Sequence, residues 1–151
     1  NKFKFKSLYI FIYLIPSTMI EIIPDLWICK YRELEGINRN NIIIIDCYHD
    51  LDFLTNDDDR IRHELVELYR YIKTKLHIIH KNLIETNTVV VTCKTCTQLS
   101  PLIVCSYLIY YGGMEIIDSL NAIKSKKEDV FKDQVMFSNI LDKLYSDMKN
   151  G

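Results

Sequence analysis

The chain has 151 residues, 48% of them hydrophobic and 26% charged, which is enough for one substantial core and too few for two ordinary domains. Its formal net charge is −1, so it lacks the strongly basic balance of a nucleic-acid-binding protein. Lysine outnumbers arginine 14 to 5, and Ile, Asn and Tyr are frequent, a composition that indicates an AT-rich genome such as that of some large DNA viruses, protists or symbionts.

The first 18 residues do not resemble a domain element. Lys2, Lys4 and Lys6 precede an apolar run at 8–15, as in a signal peptide, but the run is short and no small-residue cleavage site follows. It is also too short to span a bilayer. We therefore expect residues 1–18 to be an extension that precedes the true start at Met19, and one domain to cover 19–150.

The first half of this domain has three apolar segments. Residues 20–28, interrupted by Pro24, predict two short edge strands around a turn. The four isoleucines at 42–45 predict a strand that is buried on both faces. Leu51 and Phe53 alternate with aspartates, which predicts a short strand before a loop at 55–59.

The second half is mostly helical. Apolar residues three or four positions apart predict a long helix over 61–83, and the β-branched run at 89–91 predicts a central strand. Ser100 is the expected N-cap and Pro101 the first residue of a helix that ends at a pair of glycines, 112–113. Amphipathic spacing then predicts helices throughout the rest of the chain. The fold class is therefore α/β, a single domain with a mostly parallel sheet flanked by helices on both sides and a helical C-terminal half.

The five cysteines are odd in number and stand mostly in apolar runs, which predicts free thiols in a reducing compartment and hence a cytoplasmic protein. Cys96 and Cys105 are expected in the core. Cys93 differs, because it ends a strand directly before a helix, where backbone N–H groups bind anions. Cys93 and Cys96 also form a C-x-x-C pair, so a thiol redox role stays open.

A thioredoxin fold would need further strands and a proline downstream, and neither is expected in 102–151. A zinc site is disfavoured because only one C-x-x-C exists. His77 and His80, three apart on the long helix, lack the usual ligand spacing and are explained more simply as exposed residues. We therefore predict neither a metal nor a cofactor.

Residues 89–127 resemble the dual-specificity protein phosphatases of the cysteine phosphatase superfamily, including the small poxviral type. Their pattern is an apolar strand, then His-Cys-x-x-Gly-x-x-Arg-Ser, then Ala-Tyr-Leu-Met about six residues later. Without a gap, Cys93 falls on the nucleophile, Ser100 on the serine after the arginine, and 106–109 (Ser-Tyr-Leu-Ile) on Ala-Tyr-Leu-Met. Residues 23–28 look like the first strand of that family, so the resemblance extends over nearly all of 19–148.

Three positions depart from the family pattern: the histidine is Thr92, the loop glycine is Cys96, and the phosphate-binding arginine is Leu99. A guanidinium binds phosphoryl oxygens with two parallel hydrogen bonds, which leucine cannot do. A side chain also disfavours the positive φ that a loop glycine allows. The resemblance implies a general acid in the loop before the long helix, although helix capping explains the same acidic residues: Asp57, Asp58 and Asp59.

The sequence thus predicts a catalytically impaired phosphatase-like protein, a pseudophosphatase, that acts by binding a protein such as a phosphoprotein or kinase. Cys93 would be its vestigial nucleophile. The degenerate phosphate loop would consist of Lys94, Thr95, Cys96, Thr97, Gln98, Leu99 and Ser100. Two alternatives stay open, namely a redox protein using Cys93 and Cys96 and a weakly active phosphatase with Cys93 as nucleophile.

Overall fold

The computed structural model describes residues 19–51 and 61–151. The four strands are β1 (Ile20–Ile23), β2 (Leu26–Lys30), β3 (Ile42–Asp46) and β4 (Thr88–Cys93), and a 3-10 helix spans Tyr31–Gly36. The α-helices are α1 (Cys47–Asp50), α2 (Ile61–Ile84), α3 (Leu99–Tyr110), α4 (Ile116–Lys126) and α5 (Ser138–Asn150). The predicted extension at 1–18, Phe53, the loop at 55–59 and its three aspartates lie outside the described residues.

The strands form one sheet in the order β1-β2-β4-β3. β1 pairs with β2 in antiparallel fashion, whereas β2 and β3 both run parallel to β4. The α/β class, the mostly parallel sheet and the central position of β4 are therefore confirmed. Because the three parallel strands end at the same edge of the sheet, Lys30, Asp46 and Cys93 lie close to one another in register.

Two details of the predicted strands are wrong. β2 is an interior strand, and β3 stands at the edge, where its first three isoleucines are only partly buried. A run of β-branched residues reflects strand propensity, but the pairing partners decide which strand becomes the edge. The short strand predicted around Leu51 does not begin there among the described residues, and its remaining residues, including Phe53, lie outside them. Residues 47–50 form α1 instead, because the Asp46 carboxylate accepts the His49 backbone N–H at 3.1 Å and caps a helical turn.

The main core cluster lies between one face of the sheet and helices α2 to α5. Along β4, Val89 and Val91 enter this cluster, while Val90 points to the opposite face, as the two-residue period of a strand requires. That opposite face carries a smaller cluster built around Trp27 and Leu34 and contacted by the 3-10 helix. In the described part of the chain the long helices thus lie on one face only, contrary to the prediction of helices on both.

The predicted long helix at 61–83 is confirmed as α2, and the two last predicted helices are present as α4 and α5. Residues 127–137, expected to be helical, form turns instead, with Phe131 and Phe137 at positive φ. Among the described helices, none is both long and apolar enough to cross a membrane.

Candidate functional site

The cysteine loop, residues 93–99, joins the end of β4 to the start of α3. The Cys93 side chain is buried, and its sulfur accepts the backbone N–H groups of Cys96 at 3.2 Å and of Ser100 at 3.4 Å. The Ser100 hydroxyl lies 3.2 Å from the same sulfur. The loop therefore folds around the thiol and directs backbone N–H dipoles at its sulfur.

Ser100 is not the N-cap that the sequence predicted. Gln98 occupies that position without a side-chain cap, and Ser100 lies in the first turn of α3, fully buried. Its hydroxyl lies between two sulfurs, 3.2 Å from Cys93 Sγ and 3.3 Å from Cys96 Sγ, to which it donates. The hydroxyl is thus directed at the loop rather than at a free N–H group of the helix end.

Cys96 has a φ of 58°, in the left-handed region that favours glycine. Holding a residue with a Cβ there costs about 1–2 kcal/mol. Its side chain is fully buried and packs in the main core cluster. Burial, opposed by the hydrogen bond from Ser100, raises the pKa of the Cys96 thiol to about 12, so this thiol is protonated at neutral pH.

Neither Thr92 nor Leu99, the other two positions that depart from the family pattern, supplies a charge to the loop. Thr92 is fully buried, and its hydroxyl donates to the Cys29 carbonyl at 3.1 Å. Leu99 packs against the main core cluster. Lys94 is exposed on the outer side of the loop. The loop therefore retains backbone donors but contains no guanidinium.

The turn segment 127–137 is held against the outer side of the loop. The Gln98 side-chain amide donates to the Gln134 carbonyl and accepts the Met136 N–H, both at 3.0 Å. The Phe131 N–H donates to the Thr97 carbonyl, also at 3.0 Å. No sequence pattern marks these contacts, because they join residues more than 30 positions apart.

A cleft of about 560 Å³ opens beside the cysteine loop. Lys94, Thr95 and Thr97 form one wall. No sequence pattern marks the remaining lining residues, which come from the end of β2, the 3-10 helix, α1 and the turn segment: Lys30, Tyr31, Arg32, Tyr48 and Asp129. We call these eight residues the basic cleft.

The other predicted site residues do not join this site. Asp57, Asp58 and Asp59 lie outside the described residues, so the general acid remains a prediction. His77 is exposed, whereas His80 stacks on Tyr111 with ring centroids 4.1 Å apart and is not simply an exposed residue. Cys105 has the expected core position, with burial raising its pKa to about 11. Within the described ranges, no three His, Cys, Asp or Glu side chains are grouped closely enough to hold a metal ion.

No family model matches the chain, and no curated protein matches it in sequence. Solved structures do match. A leucine-rich-repeat and phosphatase domain protein from Entamoeba histolytica has a TM-score of 0.68 and 17% identity, with 88% of this chain and 94% of that one covered. Human DUSP28 has a TM-score of 0.67 and 12% identity, over 87% and 98% of the two chains. The chain has the dual-specificity phosphatase fold.

A third structure with this fold is the human tyrosine phosphatase-like serine/threonine/tyrosine-interacting protein, with a TM-score of 0.64 and 16% identity, over 88% of this chain and 98% of that one. The described strands and helices of this chain, which together form this fold, begin at Ile20 and end at Asn150. The fold implied by the sequence resemblance is therefore confirmed.

Proposed function

We propose that this dual-specificity-phosphatase-like protein does not transfer phosphoryl groups and acts by binding a protein partner. The observation that carries the proposal is Leu99, an uncharged side chain packed against the core where the family pattern has its phosphate-binding arginine. Catalysis of phosphoryl transfer consists largely of positioning and of stabilising charge on the transferred group. Loss of one such preorganised donor raises the barrier by about 2.7–4 kcal/mol.

The conformation of the loop adds to this effect. Cys96 retains the left-handed backbone but buries an uncharged thiol in the core, and Ser100 is hydrogen-bonded to both loop sulfurs. Thr92, at the position of the family histidine, is committed to the Cys29 carbonyl. Three positions that serve phosphate chemistry in the family thus make only internal contacts here.

A binding role is supported by the intact scaffold around this altered loop. Both faces of the sheet carry buried core clusters, so the scaffold that would present a binding surface is intact. One human protein with this fold is a tyrosine phosphatase-like serine/threonine/tyrosine-interacting protein, so its name describes it as an interacting protein. For this chain we propose a phosphoprotein or a kinase as partner, without nucleic acid, and a cytoplasmic location, which its five free, buried cysteines favour.

The direct test compares wild-type protein with Cys93→Ser in hydrolysis of an aryl phosphate. Because Leu99 supplies no charge to the transferring group, we expect both proteins to give the same background rate. Equal thermal unfolding midpoints would show that Cys93→Ser is folded and is a valid control. Wild-type turnover that disappears in Cys93→Ser would contradict the proposal and favour the weakly active phosphatase.

A thiol redox function is the second candidate. The observation that favours it is that one oxygen, Ser100 Oγ, lies within 3.3 Å of both loop sulfurs, which brings Cys93 and Cys96 near each other. The raised pKa of Cys96 opposes it, since the thiolate is the reactive form. Mass spectrometry after mild peroxide treatment decides between the redox function and the proposed binding function. A redox protein would form a 93–96 disulfide that is absent from Cys96→Ser, and under the proposed binding function that disulfide is not expected.

A further inference from the structure

The basic cleft lies where the three parallel strands end. Lys30, the last residue of β2, is in register with Cys93, the last residue of β4. Tyr48 belongs to α1, which directly follows β3. In open α/β sheets, ligands bind at the carboxyl ends of the strands. The cleft therefore has the position of a binding site, although most of its walls lie outside the cysteine loop.

The charges around the cleft are unbalanced. Three cations line it: Lys30, Arg32 and Lys94. Of its described lining residues one is acidic, Asp129, and that carboxylate forms an ion pair with Lys127. Since the whole chain has a formal charge of −1, this is a local concentration of positive charge rather than a general property of the surface.

Two described acidic groups near these cations have hydrogen-bond partners of their own. The Glu33 carboxylate accepts the Lys30 backbone N–H at 2.7 Å and is half-buried. The Asp46 carboxylate lies 2.6 Å from Nδ1 of His49, within hydrogen-bond distance. The positive charge of Arg32 and Lys94, both exposed, is available to an external anion.

An aromatic wall stands beside the cations. The Tyr31 and Tyr48 rings stack with centroids 5.1 Å apart, and His49 packs edge-on against Tyr31 at 4.8 Å. Tyr48 remains 41% exposed despite these contacts. Tyrosine rings of this kind provide rigid contact area for aromatic and aliphatic side chains at protein interfaces.

We propose that the basic cleft binds an acidic segment of the protein partner, with partner carboxylates on Lys30, Arg32 and Lys94 and an apolar partner side chain against the Tyr31–Tyr48 stack. This inference rests on the proposed function, since it locates the partner-binding site. Carboxylates suit single lysine and arginine contacts of this kind, whereas the loop position that would clamp a phosphate holds Leu99. A peptide is favoured over nucleic acid because the chain as a whole has a formal net charge of −1.

Fluorescence polarisation with a labelled decapeptide of alternating Glu and Tyr tests the inference. We expect saturable binding that Arg32→Glu with Lys94→Glu weakens at least about tenfold, because two charge contacts near the surface together account for roughly one power of ten in Kd. Arg39→Glu with Lys124→Glu makes the same charge change at exposed positions outside the cleft and should alter Kd less than about twofold. Thermal melts confirm that both variants are folded.

Two further probes test whether the cleft recognises carboxylates of a peptide rather than an uncharged peptide or a nucleic acid. A decapeptide of alternating Gln and Tyr should bind much more weakly, and a single-stranded RNA of equal length should not compete. Equal binding of the Gln peptide, equal weakening by the two double variants, or tighter binding of the RNA would each overturn the inference. These outcomes are independent of the aryl phosphate assay, so Cys93-dependent turnover would reject the proposed function without affecting the peptide result.

Discussion

The double variant Leu99→Arg with Cys96→Gly is expected to hydrolyse an aryl phosphate at least about 100-fold faster than the wild type, because one preorganised transition-state donor contributes a factor of 10² to 10³. Arginine at 99 would add a guanidinium to the loop, which otherwise offers a phosphoryl group only backbone N–H donors around Cys93. Glycine at 96 adopts the observed φ of 58° without the strain that a Cβ introduces. The measurement is initial-rate kinetics on the two proteins under identical conditions.

The matched control carries Cys93→Ser in the same double-variant background. Because activity in this fold is expected to require attack by the Cys93 sulfur, the control should return to the background rate. A crystal soaked in sulfate gives an independent readout, with an anion expected in the loop of the double variant and none in the wild type. A folded double variant that gains no activity and binds no anion would contradict the assignment of the defect to positions 96 and 99.

Phe131→Ala is expected to lower the free energy of unfolding by about 3–5 kcal/mol, the usual range for removal of a fully buried aromatic side chain. The Phe131 ring is 1% exposed and belongs to the main core cluster, while its backbone N–H holds the Thr97 carbonyl of the cysteine loop. Alanine retains that N–H but leaves a cavity beneath the turn segment. Urea denaturation monitored by circular dichroism measures the change.

Ile117→Ala is the matched control for this prediction. Ile117 is 62% exposed on α4, so its truncation should change the free energy of unfolding by less than about 0.5 kcal/mol. Both variants truncate a large hydrophobic side chain to alanine, one in the core and the other on the surface. Similar effects of the two substitutions would contradict the position of Phe131 as a buried anchor of the turn segment.

Much of the secondary structure could be predicted from the sequence, because its signals are local. The apolar spacing of α2 specifies a helix with one buried side, and the β-branched run of β4 specifies a strand that is buried on both faces. The α/β class followed from the order of the strands and helices. The phosphatase fold followed from the resemblance around Cys93, and the structural comparison confirms that fold. At Asp50, where a short strand was expected to begin, the capping contact of Asp46 favours a helical turn instead.

The candidate site could be predicted only in part. The substitutions at 92, 96 and 99 are visible in the sequence, so the missing guanidinium needed no structure. The contacts of Ser100 were not visible, since its hydroxyl could serve either a helix cap or a neighbouring sulfur, and only the folded loop shows the second. The basic cleft was missed altogether, because its charged and aromatic residues come from four separate stretches of the chain.

The sequence by itself determined the helices, the central strand and the chemistry that the cysteine loop lacks. The tertiary structure decided that β3 lies at the sheet edge, that Cys96 takes a left-handed conformation with its thiol in the core, and that Lys30, Arg32 and Lys94 share one cleft. The physical reason is the separation along the chain over which each interaction acts. Propensity and periodicity act within a few residues, whereas strand order, burial and charge clustering arise from contacts between distant parts of the chain.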